Sequence, residues 1–140
     1  MSAPQNSAAG YSGKPLWQKL GLKPGLRVRL VDAPDDYAAL TGFDLGLVVV
    51  LARAGTFDFG HAFVRGARDL DAVLARLDPQ LDPAGQLWIS WPKKASKVPT
   101  DITEDTVREL ALPRGLVDVK VCAVDATWSG LKLVRRKALR

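Results

Sequence analysis

Cysteine, histidine and methionine each occur only once in this 140-residue chain, as Cys122, His61 and Met1. A single cysteine excludes an internal disulfide and a cysteine-based metal site, and it gives no sign of an oxidising compartment. With one histidine, on a strand, Ser90, Ser96 and Ser129 have no visible base partner, so a serine hydrolase is unsupported. No charged-then-apolar signal segment opens the chain. The longest apolar run, Leu45 to Ala52, falls far short of the roughly 20 residues a membrane span needs. Glutamate is missing until Glu104. These absences lead to the expectation of a soluble, cytoplasmic protein with no membrane partner.

The chain is instead rich in core material. Hydrophobic residues make up 47%, enough for one domain with a real core. Four tryptophans, Trp17, Trp88, Trp91 and Trp128, punctuate it. The net charge of +5 is unevenly placed. Residues 1–91 hold 9 Lys+Arg and 9 Asp, whereas residues 92–140 hold 11 Lys+Arg against 6 Asp+Glu. Such asymmetry points to an anionic partner, although an ordinary lysine-bearing surface gives the same count.

Met1 to Gly13 has no periodicity and reads as a disordered tail, leaving 14–140 as the domain. Pro15 opens a short helix carrying Leu16, Trp17 and Leu20, which Gly21 ends. From Leu26 to Val31 the pattern alternates, with Leu26, Val28 and Leu30 on one side and Arg27 and Arg29 on the other. Asp32-Ala33-Pro34-Asp35-Asp36 then turns into a short helix through Tyr37 and Leu40. The β-branched run Leu45 to Ala52 predicts a strand buried on both faces, and Asp58 to Val64 a weaker one. Asp69 is expected to cap a helix whose Leu70, Val73, Leu74 and Leu77 share one face.

Asp82-Pro83-Ala84-Gly85 reads as a turn into a central strand, Gln86 to Trp91. Asp101-Ile102-Thr103-Glu104 resembles a capping box with Asp as the cap, starting a helix to about Leu112. Leu116 to Val124 alternates, with Val117, Val119, Val121 and Ala123 on one face and Asp118, Lys120 and Cys122 on the other. Leu131 to Arg136 returns beside it after a turn, so that Lys132 and Arg136 face that polar side. The expected fold is a single α/β domain: a mostly parallel, Rossmann-like sheet flanked by helices and ending in an antiparallel β-hairpin.

The working edge is expected where the central strand stops at Pro92 and opens into Lys93-Lys94-Ala95-Ser96-Lys97. Three ammonium groups, a hydroxyl and loop amides suit a phosphate or another anion. Ligands gather at the carboxyl ends of strands in open α/β sheets. Val31, Val64 and Trp91 should end on the same side, so Trp91, Lys93, Lys94 and Ser96 are expected to line a pocket with Asp32 and Arg65 at its rim. A solvated basic turn is the plain alternative. Asp32, Asp35 and Asp36 read as turn residues rather than metal ligands, and no metal is assigned. Asp58 and His61, three apart on a strand, should point to opposite faces and form no dyad. Cys122 beside Lys120 has the setting of an activated thiol but fits better as a small buried residue. Trp128 is expected to fold back over the core.

Two resemblances follow from particular segments. LDPAGQLWISWPKK (81–94) followed by the hairpin VDVKVCAVDATWSGLKLVRR (117–136) looks like the second half of a class I methyltransferase fold. That resemblance implies a glycine-rich cofactor loop after the first strand, whereas residues 32–37 contain no glycine. Separately, KLGLKPG (19–25), LWISWPKKAS (87–96), TDITEDTVRELAL (100–112) and GLVDVKVCAVDATWSGL (115–131) resemble an uncharacterised bacterial domain-of-unknown-function family, family 3052. That family brings no cofactor or catalytic residue with it, so none is assigned. Three functions stay open. One is a non-catalytic module binding an anionic small molecule or partner at the Trp91–Lys97 loop. Another is a nucleic-acid binder using the basic carboxyl-terminal half, with Trp91 and Trp128 as stacking platforms. The third is a methyltransferase-like enzyme without the usual glycine loop.

Overall fold

Alternation along the strands sorts the side chains into two layers, one on each face of a six-stranded sheet. The structure is a computed structural model that describes residues 13–140, so the expected tail lies, Gly13 apart, outside the described residues. The strands are β1 (Arg27–Val31), β2 (Val49–Val50), β3 (Phe57–Phe63), β4 (Leu81–Pro92), β5 (Leu116–Ala123) and β6 (Trp128–Arg135). The helices are α1 (Leu16–Leu20), α2 (Tyr37–Thr41), α3 (Ala67–Leu77) and α4 (Glu104–Ala111). Sheet order is β2-β1-β3-β4-β6-β5. The first four strands in that order run parallel, and β6 pairs antiparallel with both β4 and β5. The expected single α/β domain with a parallel sheet and a closing antiparallel hairpin is what the chain forms.

On one face Val28, Phe59, Phe63 and Trp88 meet Leu20 of α1 and Tyr37 of α2. On the other, Ala62, Leu87, Ile89 and Trp91 meet Leu70 and Leu74 of α3 and Val107 of α4. The Trp88 indole N–H donates to the Leu20 carbonyl at 2.8 Å, so a buried aromatic also fixes where α1 ends. The central strand is inside the sheet, paired to β3 on one side and β6 on the other.

Several local expectations fail for identifiable reasons. Leu45 to Ala52 is not an inner strand. Asp44 accepts the Gly46 N–H at 2.8 Å and winds Leu45–Leu47 into a 3-10 turn. Only Val49–Val50 pairs, at the sheet edge, with those valines 56% and 45% exposed. Residues 82–85 are not a turn before β4 but part of it, absorbed by a register shift against β3 between Phe57 and Phe59. Asp69 does not cap α3. Gly66 is the N-cap, and the carboxylate of Asp101, expected to cap the next helix, instead accepts the Ala67 N–H at 2.7 Å. Thr103 takes over at α4 in a reciprocal capping box with Thr106. In β5 a bulge between Asp118 and Lys120 breaks the alternation. Asp118 then faces α4, where it accepts from Arg108 at 2.9 Å, while Lys120 reaches the Lys19 carbonyl by α1. The valines at 119 and 121 are left exposed and Cys122 buried.

The arginines of β1 face the α3 side. Arg27 grips Asp58 through two nitrogens and also reaches Asp82. Hydrogen bonding from Arg27 holds the Asp58 carboxyl below the usual carboxylate range.

Candidate functional site

Because β1, β3 and β4 are parallel neighbours, their carboxyl ends deliver Asp32, Arg65 and Lys93 to one edge of the sheet. Pro92 stands opposite Trp128 in the ladder, and the Lys93 N–H donates to the Thr127 carbonyl at 2.8 Å. The Arg65 guanidinium lies over the Trp128 ring, 5.6 Å from its centroid, in a cation–π arrangement. Trp128 is half-buried and meets Phe63 edge-on at 5.1 Å, folded against the core as expected. Asp125 holds that turn by accepting the N–H groups of Thr127 and Trp128, both at 2.8 Å.

Other residues of the expected pocket are placed differently. Trp91 is 6% exposed and packed into the α3/α4 layer, so it underlies the edge. The Ser96 hydroxyl donates to the Lys93 carbonyl at 2.7 Å and accepts the Val98 N–H at 3.2 Å, closing a 3-10 turn. Lys93 is half-buried and Lys94 exposed. The structure therefore brings Lys93, Arg65 and Trp128 together.

Asp32 takes part in a second feature, a cavity of about 380 Å³ lined by Arg29, Leu30, Val31, Asp32, Ala52, Arg53, Ala54, Arg76, Leu77 and Gln80. None of Trp91, Lys93, Lys94, Ser96 or Arg65 lines it. It exists because residues 51–56 cross from β2 to β3 with no helix. The sheet beside β1 is therefore left uncovered next to the end of α3. Arg29 braces the crossing by donating to the carbonyls of Leu51, at 3.0 Å, and Arg53. Its Nε is buried and finds no acceptor among the described residues, an arrangement that costs about 1–3 kcal/mol.

One constellation escaped the sequence reading. Ser90 does have a base beside it: His61 Nε2 lies 2.7 Å from Ser90 Oγ, and Nδ1 lies 2.7 Å from Tyr37 Oη. The imidazole also stacks on Phe63 at 4.3 Å. Burial pushes the His61 pKa down to about 3 and the Tyr37 hydroxyl up. Among the described residues no carboxylate joins the chain of hydrogen bonds, and Tyr37, His61 and Ser90 are all buried, so it ties β3, β4 and α2 together rather than activating a nucleophile. Its one legible signal was a period-2 count placing His61 and Ser90 on the same face of adjacent strands. Cys122 is similarly inert, its thiol pushed up by burial against the smaller opposing pull of Lys19 and Lys120. Among the described residues no group of three or more His, Cys, Asp or Glu could hold a metal ion. No helix among them is long and apolar enough to cross a membrane.

Solved structures share this fold. A protein assigned as a type 11 methyltransferase from Sulfolobus solfataricus matches with a TM-score of 0.60 at 16% identity, over 87% of this chain and 90% of that one. Magnesium protoporphyrin IX methyltransferase from Synechocystis PCC 6803, solved with bound SAM, matches with a TM-score of 0.57 at 13% identity, over 80% and 71%. The Bacillus subtilis m1A22 tRNA methyltransferase matches with a TM-score of 0.54 at 12% identity, over 89% and 67%. The chain has a methyltransferase-like fold. No family model and no curated protein matches it.

In this chain the loop after β1 keeps one property of a glycine loop and lacks another. Asp32 adopts the left-handed conformation, φ 53°, that glycine takes at least cost. The turn is made, but Asp32, Ala33 and Pro34 carry side chains where a glycine loop offers bare backbone. Arg53, three residues past β2 in the crossing, is exposed and lines the cavity.

Proposed function

We propose that this chain is a methyltransferase-like enzyme working at the carboxyl edge of β1, β3 and β4, with a cytoplasmic site of action. The observation that carries this reading is the likeness to methyltransferase structures over 80–89% of the chain. We also propose membership in family 3052 on the resemblance of the segments quoted above, which no family model match supports. Adenosylmethionine suits the loop in turn and in charge. Asp32 supplies the left-handed residue, and Asp32, Asp35 and Asp36 are all exposed carboxylates, opposite in sign to the sulfonium and ammonium groups. Those three would hold the positive groups of the ligand, and adenosylmethionine would supply an electrophilic methyl group there. Arg65 and Lys93, one strand and two strands away, would draw an anionic acceptor to the neighbouring loops.

Calorimetry with adenosylmethionine and adenosylhomocysteine tests the reading. The expected result is saturable binding with Kd below about 1 mM, equivalent to about 4 kcal/mol. Asp32→Asn with Asp35→Asn should weaken adenosylmethionine more than the uncharged-sulfur product. Absence of heat with both ligands would remove the enzyme reading.

A second reading, a non-catalytic module taking an anion at the Trp91–Lys97 loop, is favoured by one observation. None of Lys93, Lys94 and Lys97 is in an ion pair among the described residues. Lys93→Ala with Lys94→Ala should then weaken phosphate binding while leaving thermal unfolding nearly unchanged. Equal binding by wild type and the double variant would return the loop to a solvated turn. Nucleic-acid binding by the basic half has less support. Arg108, Arg114 and Arg135 are each paired with a carboxylate there, and continuous basic stripes bind phosphates better.

A further inference from the structure

We infer that the cavity on the α3 side of β1 is an anion site, built to take a phosphate or carboxylate group of a small molecule between Arg29, Arg53 and Arg76. Three guanidinium groups line it against one carboxylate, that of Asp32. Outside the cavity, Arg27, Arg108, Arg114 and Arg135 each have a carboxylate partner, and Arg65, Arg68, Arg136 and Arg140 have none among the described residues, so it is the gathering of three arginines in one cavity that sets this place apart. Arg53 and Arg76 are exposed and have no ion-pair partner among the described residues, and Arg29 keeps a buried Nε–H without an acceptor.

A planar guanidinium presents its donors in a fork that matches the oxygens of phosphate or carboxylate. An oxygen entering the cavity would meet Arg29 at its wall, while Arg53 and Arg76, on the crossing and on α3, would close over the group from two sides. Gln80 holds that frame: its Oε1 accepts the Gly55 N–H at 3.4 Å, and its Nε2 donates to the Arg76 carbonyl at 3.3 Å. Val31 and Leu77 add apolar wall. A cavity of about 380 Å³ lies in the range of small-molecule pockets, about 300–1,000 Å³. Asp32, the one carboxylate in the lining, repels a second anion and suits a hydroxyl or ammonium group. The ligand class is therefore a small polar molecule that carries an anion together with a hydrogen-bond donor.

The site does not rest on the methyltransferase reading, and its test uses no adenosylmethionine. Inorganic phosphate and pyrophosphate are titrated into the full chain while the arginine Nε–H resonances are followed by NMR. The Arg29 resonance is expected to shift saturably, together with those of Arg53 and Arg76, with pyrophosphate binding tighter than phosphate. Both substituted residues of the Arg53→Gln, Arg76→Gln double variant are exposed, so it should keep the wild-type unfolding midpoint and bind at least tenfold more weakly. An Arg29 resonance that does not move, shifts that never saturate, or equal binding by the double variant would each overturn the proposal. Adenosylmethionine binding that persists in the double variant would leave the enzyme reading standing when the anion site fails, and the converse result would do the opposite.

Discussion

Leu74→Ala is expected to lower the stability of the chain by about 2–5 kcal/mol, the usual cost of emptying a core leucine position. Leu74 is fully buried on α3, in a stripe with Leu70, Val73 and Leu77 against the β-sheet. The loss combines the transfer of apolar surface with a cavity that the neighbours only partly fill, because the face they share is a strand surface held by ladders on both sides. Urea unfolding should show a lower midpoint at unchanged slope. Asp71→Ala, on the exposed face of the same helix, is the control. Its pair with Arg114 spans 3.4 Å and is largely solvated, so the change should stay within about 1 kcal/mol. A midpoint that barely moves for Leu74→Ala would reverse the facing of α3.

That stripe illustrates what the amino-acid order carries well. A helix that must cover a sheet shows its buried face at a spacing of three and four, and α3 does so without ambiguity. The same holds for β4, whose residues Leu87 to Trp91 are apolar or small on both faces because helices lie on both sides. The run Leu45 to Ala52 has the same composition and a different fate. Nothing within those eight residues states that the crossing to β3 will be six residues long, carry no helix and leave the valines uncovered. In β5 the alternation was real but interrupted: one extra residue at the bulge turns every later side chain to the other face, and single-residue slips of this kind are invisible to a period-2 count.

Long-range partners account for the remaining differences. Asp101 is near α4 in sequence and nearer the start of α3 in space, so its carboxylate caps the helix that sequence distance argued against. The shared edge of Asp32, Arg65 and Lys93 followed from strand direction alone. The arginine-lined cavity did not, because it depends on the end of α3 meeting the unsupported crossing beside β1. The buried histidine likewise joins residues from α2, β3 and β4, each unremarkable within its own segment.

Acid is expected to find that histidine before it finds any carboxylate. His61 is held neutral when folded, with a pKa of about 3, against 6.5 for the free side chain, because burial penalises the charged imidazolium. Between those values the unfolded chain binds a proton that the folded chain does not, so stability rises with pH. The contribution is complete above pH 6.5 and is lost as pH falls, by up to about 1.4 kcal/mol per pH unit. Going from neutral pH to 4.5 should therefore cost about 2–3 kcal/mol in denaturant unfolding. His61 is the only histidine, so this window lies above the ordinary carboxylate range and belongs to one group.

His61→Leu separates the electrostatic effect from the packing effect. At pH 7 the variant should be less stable than wild type, because the Tyr37 and Ser90 hydroxyls lose their partner at about 1–3 kcal/mol each. With no imidazole left to protonate, the variant should be nearly flat from pH 7 to 4.5, and the gap between the two proteins should narrow as the pH falls. The ring proton resonances of folded wild type should stay at their neutral positions down to about pH 4. An imidazole titrating near 6.5 in the folded protein would mean that the hydroxyl–imidazole–hydroxyl chain opens to water. A wild-type stability unchanged between pH 6.5 and 4.5 would mean that His61 gains no proton on unfolding.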